Sequence, residues 1–200
     1  MALIKRSQTP PKFPNYRSYK QYLRKDFDYR CVYCNIREAE DGGSGKFHID
    51  HYQPQKRFPQ KSNEYSNLFY SCNDCNRFKS GFWPNFLQRI QGKFILNPCD
   101  HDFDIHYNRV NPAWEAIGKT ADWNIERLRL NSPKRIQIRK DRKYLLECID
   151  KLELQKTKLL NLLETVTASD NRTKADILQR IINTQEKIDV YRRKTVLPLD

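Results

Sequence analysis

The fold of this chain is decided between residues 31 and 79. Residues 31–34 read CVYC, residues 48–51 read HIDH, and residues 72–76 read CNDCN, with Lys79 shortly after them. Two C-x2-C pairs therefore enclose an Asp-His dipeptide, and an asparagine directly follows the second pair. Each pair can present two thiolates from one tight turn, and four thiolates suit tetrahedral Zn(II) with no open position. The spacing predicts a structural zinc site that joins two distant parts of the chain.

The predicted zinc ligands are Cys31, Cys34, Cys72 and Cys75. Two other interpretations stay open, namely two pairs of reduced core cysteines and an iron–sulfur cluster, which spacing alone does not exclude. In a cytosolic chain, paired cysteines are more often metal ligands than disulfides. The other two cysteines, Cys99 and Cys148, stand far from the pairs and from each other in the sequence.

The composition is basic and lean in apolar residues. The formal net charge is +13, with 38% hydrophobic and 30% charged residues. A basic excess favours a polyanionic partner, because Lys and Arg that neutralise phosphates release condensed counterions. We therefore expect nucleic acid as a partner, and a merely soluble basic protein is the plainer alternative. The low apolar content favours a small or elongated unit that a metal cross-link helps to fold.

The first residues of the chain contain no long apolar region after their charges. A secretory signal is therefore not expected. No apolar run approaches the roughly 18 residues that a membrane span requires. We expect a cytoplasmic protein that does not contact a membrane.

Breaks and shifts in composition divide the chain into four predicted segments. They are an N-terminal arm with a short helix (1–30), a motif region (31–82), a mixed connecting region (83–132) and a helical hairpin (133–200). In the first segment, the prolines indicate an extended arm. The spacing of aromatic and basic residues over 16–30 predicts a short amphipathic helix.

The motif region is predicted to contain two strands followed by a helix. Residues 46–53 and 67–71 are the two strands, because prolines and a polar loop separate these runs. The helix begins near Asn73, which can cap it, and ends at Gly81. The connecting region is predicted to contain strands at 94–96 and 105–107 and a helix at 123–130.

The last segment carries the pattern of two long helices. Ser132 suits the N-cap position and Pro133 suits the first helical position. Apolar residues recur every seven positions from Ile138 to Val166, which predicts a helix about 50 Å long. A break at 167–171 precedes a second amphipathic stretch, so we expect the two helices to fold back and bury their apolar stripes together.

The polar side chains between the cysteine pairs are those that phosphodiester hydrolysis requires. A neutral imidazole can take a proton from water, and its ordinary pKa of about 6.5 suits that role. Carboxylate and amide oxygens are hard ligands that suit Mg(II) or Mn(II). Asp50 and His51 are neighbours on a predicted strand and therefore point to opposite faces. Asn67 starts the second strand, and Asn76 follows the last cysteine on the helix.

The arrangement of Asp50-His51, Asn67 and Asn76 inside two C-x2-C pairs resembles the HNH nucleases, whose core is a ββα-metal finger. Asn76 stands where many members carry a final histidine, a replacement that also occurs in active members. The resemblance implies that His51 is the general base and that Asn67 positions it. It implies that Asp50 and Asn76 bind the catalytic Mg(II) or Mn(II). The expected fold class is α+β, a small zinc-stapled ββα-metal core with a mostly helical remainder that includes the C-terminal hairpin.

Weaker segments are similar to the HNH nucleases of Septu-type antiphage defence (PtuB-like), including those that accompany some retrons. Residues 95–100 read ILNPCD, residues 124–131 read NIERLRLN, and a long basic helix follows. Members of that group act with a separate ATPase, so the resemblance implies such a partner. The chain has no G-x-x-x-x-G-K-[ST] loop of its own, so ATP hydrolysis would come from elsewhere.

Three further side chains are candidates for nucleic-acid contact: His48, Arg77 and Lys79. A satisfied surface histidine and a solvated helix face are the plainer alternatives for them. The expected activity is cleavage of DNA, with RNA as another possible substrate. The alternative function is a zinc-stapled nucleic-acid-binding or assembly subunit without catalysis, but only the nuclease accounts for Asp50, His51 and Asn76 together.

Overall fold

The computed structural model describes residues 6–7, 9–166 and 170–195. The chain forms two compact units, Met1–Arg139 and Lys140–Asp200. The finer division into four segments stays a prediction. The helices and strands are, in chain order, α1 (Lys20–Asp26), β1 (Phe47–His51), β2 (Leu68–Cys72), α2 (Asn73–Lys79), α3 (Phe86–Ile90), α4 (Phe103–His106), β3 (Tyr107–Asn108), β4 (Glu115–Ala116), α5 (Lys119–Arg127), α6 (Pro133–Thr165) and α7 (Asn171–Thr195).

The centre of the first unit is a two-stranded antiparallel sheet with a helix attached to its second strand. β1 pairs with β2 so that Asp50 lies opposite Phe69 and His51 lies opposite Leu68. All five residues of β2 are buried, whereas His48 on β1 is exposed. α2 follows β2 without a connecting residue. The predicted order of strand, strand and helix is therefore confirmed, together with the α+β fold class.

Phe69 lies at the centre of an aromatic cluster around β2. Its ring meets those of Phe27, Tyr33 and Tyr52 edge to face, at centroid distances of 5.7, 6.0 and 5.3 Å. The guanidinium of Arg6 lies 4.2 Å from the Phe69 centroid. Edge-to-face pairs stabilise by about 0.5–1.5 kcal/mol beyond the area that they bury. These contacts hold the segments on both sides of β1 against the second strand.

The strand predicted at residues 94–96 is wrong. Asn124, buried on α5, donates to the Phe94 carbonyl at 2.8 Å and accepts from the Leu96 amide at 3.2 Å. It also donates to the Thr120 carbonyl at 2.7 Å. The side-chain amide thus takes the place that a neighbouring strand would have. The helix predicted at 123–130 is present as α5, but it begins and ends several residues earlier.

The strand predicted at residues 105–107 is also wrong for most of its length. The Asp102 side chain accepts from the Asp104 amide and so caps the single helical turn α4. Ile105 lies in that turn and is exposed. Only Tyr107 of the predicted strand is extended, where it pairs with Ala116 of β4. Local capping therefore overrides the apolar pattern.

The second unit contains the later part of α6 and all of α7. The Lys156 amino group donates to Gln185 at 2.5 Å, and Arg192 pairs with Glu153 at 2.8 Å. As residue numbers rise along α6, the numbers of their partners on α7 fall. The two helices are therefore antiparallel, as the predicted hairpin requires. The buried apolar side chains of this unit include Ile149, Leu159, Ile177 and Ile188.

Three of the predictions fall partly outside the described residues. These are the extended arm, at residues 1–5 and 8, the break between the long helices, at residues 167–169, and the end of the hairpin, at residues 196–200. A membrane-spanning helix of sufficient length and apolarity is not found within 6–7, 9–166 and 170–195.

Replacing Asn124 by leucine should lower the free energy of unfolding by about 3 kcal/mol, because buried backbone groups at Phe94, Leu96 and Thr120 lose their partner. All three tryptophans lie in the first unit, so tryptophan fluorescence in urea measures this change. The matched control, Asn111→Ala, removes an exposed asparagine and should change stability by less than about 0.5 kcal/mol. An unchanged urea midpoint for Asn124→Leu would contradict this account of the connecting region.

Candidate functional site

The four cysteines predicted to bind zinc come together in the structure. Their Sγ atoms all lie within 4.8 Å of one another, and all four residues are buried. The Cys34 and Cys72 sulfurs are 3.7 Å apart. A regular tetrahedron with Zn–S distances of 2.3 Å has edges of about 3.8 Å. The cluster therefore fits a structural metal site, consistent with zinc, and the cysteines are not two separate core pairs.

Local backbone geometry brings each cysteine pair into position. The Asn35 amide closes the first turn on the Cys31 carbonyl at 2.9 Å, and Asn35 adopts a left-handed φ of 58°. The Val32 amide binds the Tyr70 carbonyl of β2, which joins this turn to the sheet. At α2 the N-cap is Cys72 and not Asn73 as predicted, because the Cys72 sulfur accepts from the Cys75 amide at 3.5 Å.

The thiols experience opposite electrostatic effects. Burial raises the pKa of the Cys31 and Cys75 thiols. Burial also acts to raise the pKa of Cys34, but hydrogen bonds with the other three cysteines and the charge of Arg135 outweigh it and lower that pKa. Four thiolates and one zinc ion carry a formal charge of about −2. A buried charge of this size requires a partner of opposite sign.

Arg135, near the start of α6, is that partner, and the sequence analysis missed it. Its buried guanidinium donates to the Cys75 sulfur at 3.1 Å and to the Cys72 sulfur at 3.9 Å. It also donates to the carbonyls of Leu128 at 2.5 Å and Arg129 at 3.1 Å. Burial alone would lower its pKa, but the charges of the cysteines raise it, so the guanidinium stays charged. No local signal could have found it, since Cys75 lies 60 positions away.

The His51 ring is held from two sides. Its Nε2 lies 2.9 Å from the Ser62 carbonyl oxygen, and the edge of the ring contacts Tyr16 at a centroid distance of 4.7 Å. A carbonyl oxygen can only accept a hydrogen bond, so Nε2 carries the proton and Nδ1 keeps its lone pair. The arrangement gives His51 a defined nitrogen that can accept a proton.

Asn67 fixes the loop that holds His51. Asn67 is buried, and it is the last residue of the 3-10 turn that directly precedes β2. Its amide nitrogen donates to the carbonyls of Gln53 and Lys61, each at 3.1 Å, and its oxygen accepts from the Gln53 amide at 2.7 Å. Lys61 precedes Ser62, whose carbonyl binds the His51 ring. Asn67 is therefore linked to the His51 ring through the segment Lys61–Ser62, and its positioning role stays a prediction.

Asp50 is buried in an ion pair that the sequence analysis did not predict. Lys79 donates to its Oδ1 at 3.0 Å, and the Tyr33 hydroxyl donates to its Oδ2 at 2.6 Å. The Lys79 ammonium, 1% exposed, also donates to the His51 carbonyl at 2.7 Å. Burial and the Asp50 charge raise the pKa of Tyr33. Lys79 thus points inward, because a buried carboxylate needs a partner, whereas the sequence suggested a phosphate contact.

The other predicted site residues lie on the same elements. Asn76 and Lys79 are three positions apart on α2 and share the helix face from which Lys79 reaches Asp50. In the part of the chain that the structure describes, the Asn76 side chain makes no hydrogen bond and is half-buried. His48 is exposed, and exposed Arg77 pairs with Asp74 at 3.3 Å. The roles of His48, Asn76 and Arg77 stay predictions.

A second group of three or more histidine, cysteine or acidic side chains that could hold a metal is not found in the described ranges.

Comparison with known families finds one match, in which residues 31–81 match the model of the HNH endonuclease. The matched segment begins at the first zinc cysteine and ends just after α2, so it contains both cysteine pairs and the ββα unit. Curated proteins and solved structures give no match to this chain. The family model supports a nuclease domain over these residues, and a domain of this kind implies nucleic-acid binding.

Replacing Cys72 by serine should abolish stoichiometric zinc binding and lower the unfolding temperature of the first unit, because metal-ligand energy is folding energy in a small stapled core. Zinc per chain and tryptophan-monitored melting measure both effects. The control Cys148→Ser alters a cysteine outside the cluster and should retain one zinc ion. A Cys72→Ser protein with full zinc content would remove the proposed site.

Replacing Arg135 by methionine should destabilise the first unit by about 3 kcal/mol and speed the loss of zinc to a chelator, because the buried sulfurs lose their compensating charge. The control is the neighbouring Lys134→Gln, which breaks an exposed pair with Asp41 and should cost less than about 1 kcal/mol. Urea unfolding and colorimetric zinc release give the two readouts. Equal behaviour of the two variants would show that Arg135 does not balance the cluster.

Proposed function

We propose that the protein is a metal-dependent endonuclease that hydrolyses phosphodiester bonds in nucleic acid through the domain at residues 31–81. DNA is the proposed substrate, and RNA is the other candidate. One observation carries the proposal. The His51 ring is held by the Ser62 carbonyl with Nδ1 left to accept a proton, on the strand that also carries Asp50. The match of this segment to the HNH endonuclease and the net charge of +13 support the same activity.

In the proposed mechanism, Nδ1 of His51 takes a proton from the water that attacks phosphorus. As the new P–O bond forms, the bond from phosphorus to one sugar oxygen breaks, and that oxygen leaves and takes a proton from solvent water. The Ser62 carbonyl, which accepts from Nε2, stabilises the positive charge that develops on the ring. The hydrogen bond from Asn67 to the Lys61 carbonyl keeps the Ser62 carbonyl in place. Asn67 is therefore a positioning residue, and it acts on the base through the loop.

Asp50 and Asn76 would hold a divalent cation such as Mg(II) or Mn(II). Their carboxylate and amide oxygens are hard donors, and each Asp50 oxygen has a second lone pair beyond the one that Lys79 or Tyr33 uses. Mg(II) keeps several waters and needs only one or two protein ligands of this kind. The donor set therefore fits the ion. When bound, the cation stabilises negative charge on the phosphoryl oxygens.

One observation favours the alternative function, a nucleic-acid-binding or assembly subunit without catalysis. The Asp50 carboxylate is already neutralised by the buried Lys79 ammonium, which reduces its attraction for a second cation. A zinc-stapled binding module would keep this ion pair permanently. The two functions differ in one measurable property, cleavage that depends on Mg(II).

We further propose that the nuclease acts in the cytoplasm, in prokaryotic antiphage defence, together with a separate ATPase. The resemblance of the segments after the motif to Septu-type nucleases supports this assignment. The hairpin also carries exposed apolar side chains, such as Leu154 and Leu162 on α6 and Ile182 on α7. Exposed apolar residues of this kind are typical of docking surfaces.

A His51→Ala protein should fold normally and lose at least about 100-fold of its Mg(II)-dependent cleavage rate, because the general base is absent. Plasmid, single-stranded DNA and tRNA are incubated with Mg(II) or EDTA, and products are resolved on gels. EDTA should stop wild-type cleavage, and added Mg(II) or Mn(II) should restore it.

The matched control for this experiment is His106→Ala, which removes a histidine that packs against His101 outside the matched segment. It should cleave at the wild-type rate. Cleavage by His51→Ala at that rate would remove the proposed base, and a wild type that binds but never cleaves would favour the non-catalytic alternative.

A further inference from the structure

An open groove of about 510 Å3 lies beside α2, between that helix and the end of α5. We call it the arginine groove. Its lining includes Arg77, Phe78, Trp123, Glu126, Arg127 and Arg129. Three guanidinium groups thus face one carboxylate, so the groove attracts anions. Four of these residues come from positions 123–129, outside the segment that matches the nuclease family.

Phe78 brings two of the arginines together. The guanidinium carbons of Arg77 and Arg129 lie 4.9 and 4.8 Å from the centroid of its ring. Each cation–π contact contributes about 0.5–1 kcal/mol at an exposed site and offsets the repulsion between the two like charges. A guanidinium that stacks in this way keeps edge donors for a further ligand, and their planar fork matches the oxygens of a phosphate. Arg77 uses one of its donors for Asp74 at 3.3 Å, an exposed contact on the rim of the groove.

Arg129 occupies a backbone position that normally belongs to glycine. The Leu130 amide binds the Ile125 carbonyl and the Arg129 amide binds the Glu126 carbonyl, the two hydrogen bonds of a Schellman motif at the end of α5. Arg129 has a left-handed φ of 50°, which costs a residue with a Cβ atom about 1 kcal/mol. Stability alone would favour glycine, so the strain indicates a role for the arginine side chain.

Lys79 connects the groove with the candidate active site. Its ammonium donates to Asp50 and to the His51 carbonyl, and its own carbonyl accepts from Arg127 Nη2 at 3.3 Å. Asn76 and Arg77 are adjacent on α2, one a predicted cation ligand and the other part of the groove.

We propose that the arginine groove binds the sugar–phosphate backbone of a nucleic-acid strand, next to the phosphate that faces His51. The choice of ligand rests on the proposed nuclease function. The groove neutralises two or three phosphates without reading the bases, so it holds the strand while His51 acts on a neighbouring bond. Residues from α5 thereby extend the binding surface beyond the ββα unit.

The experiment uses the full chain with its zinc retained, in buffer without Mg(II) and without a chelator, with fluorescent 30-nucleotide DNA as single strand and as duplex, and measures anisotropy at several salt concentrations. Arg129→Gly should weaken binding about fivefold and make the slope of log affinity against log salt shallower by about 0.7–0.9, because one phosphate contact is lost. Its melting temperature should equal or exceed that of the wild type, because glycine removes the left-handed strain.

The matched control is Lys119→Gln, which removes one exposed charge from the first residue of α5. It should bind within about twofold of the wild type. Arg129→Asn, which also tolerates the left-handed conformation, serves as a second variant if the glycine protein folds poorly. Wild-type affinity and slope in the Arg129 variants would overturn the proposal, as would an equal loss in Lys119→Gln.

A separate cleavage assay with Mg(II) distinguishes the two proposals. If the wild type cleaves DNA and the Arg129 variants bind DNA as the wild type does, the nuclease proposal is supported and the groove proposal is contradicted. If the Arg129 variants bind DNA more weakly and the wild type does not cleave it, the groove proposal is supported and the nuclease proposal is contradicted. If the wild-type protein binds neither the single strand nor the duplex, the proposed role of the groove is wrong.

Discussion

The convergence of four cysteine thiolates is the constraint on which the first unit depends. Cys34 and Cys72 are 38 positions apart in the chain, yet their sulfurs lie within van der Waals distance. Closing this long loop costs conformational entropy of the chain. A metal that joins the four sulfurs offsets that cost with its binding energy. That loop contains Asp50, His51 and Asn67, and Asn76 follows the last cysteine by one residue. The candidate site therefore lies in and beside the loop that the cysteine cluster closes, and it shares no residue with that cluster.

Buried charges determine the rest of the arrangement. Arg135 balances the sulfurs and, through the carbonyls of Leu128 and Arg129, ties the end of α5 and the start of α6 to the metal site. Lys79 balances Asp50 and reaches the carbonyl of His51. Each charge is paired because an unpaired charge in the interior costs several kcal/mol. The zinc cluster, the candidate site and the arginine groove are thus connected by hydrogen bonds of two cationic residues.

Most expectations that rest on a local pattern were confirmed, and several that failed depend on a distant partner; the strand predicted at 105–107 failed for a local reason, because Asp102 caps a helical turn there. The two strands and the helix of the core follow from their composition and turn residues. The stretch at Phe94 has the same apolar character, yet it forms no strand because the buried side chain of Asn124 binds its backbone. Lys79 reads as a surface residue on a short helix, but Asp50, 29 positions away, draws it inward. The positioning of His51 by Asn67 stays a prediction, and the hydrogen bonds at Lys61 and Ser62 that link the two side chains are visible only in three dimensions.

The sequence by itself indicated the four cysteines that cluster, the order of the ββα unit and the long helices, because the spacing within each cysteine pair and apolar periodicity are properties of neighbouring positions. Only the tertiary structure decided that the charge of Arg135 compensates the charge of the sulfurs and that Lys79 forms an ion pair with Asp50. It also decided that Arg129 and Arg77 both stack on Phe78. Burial and ion pairing depend on which distant segments meet, and a linear pattern does not encode those distances.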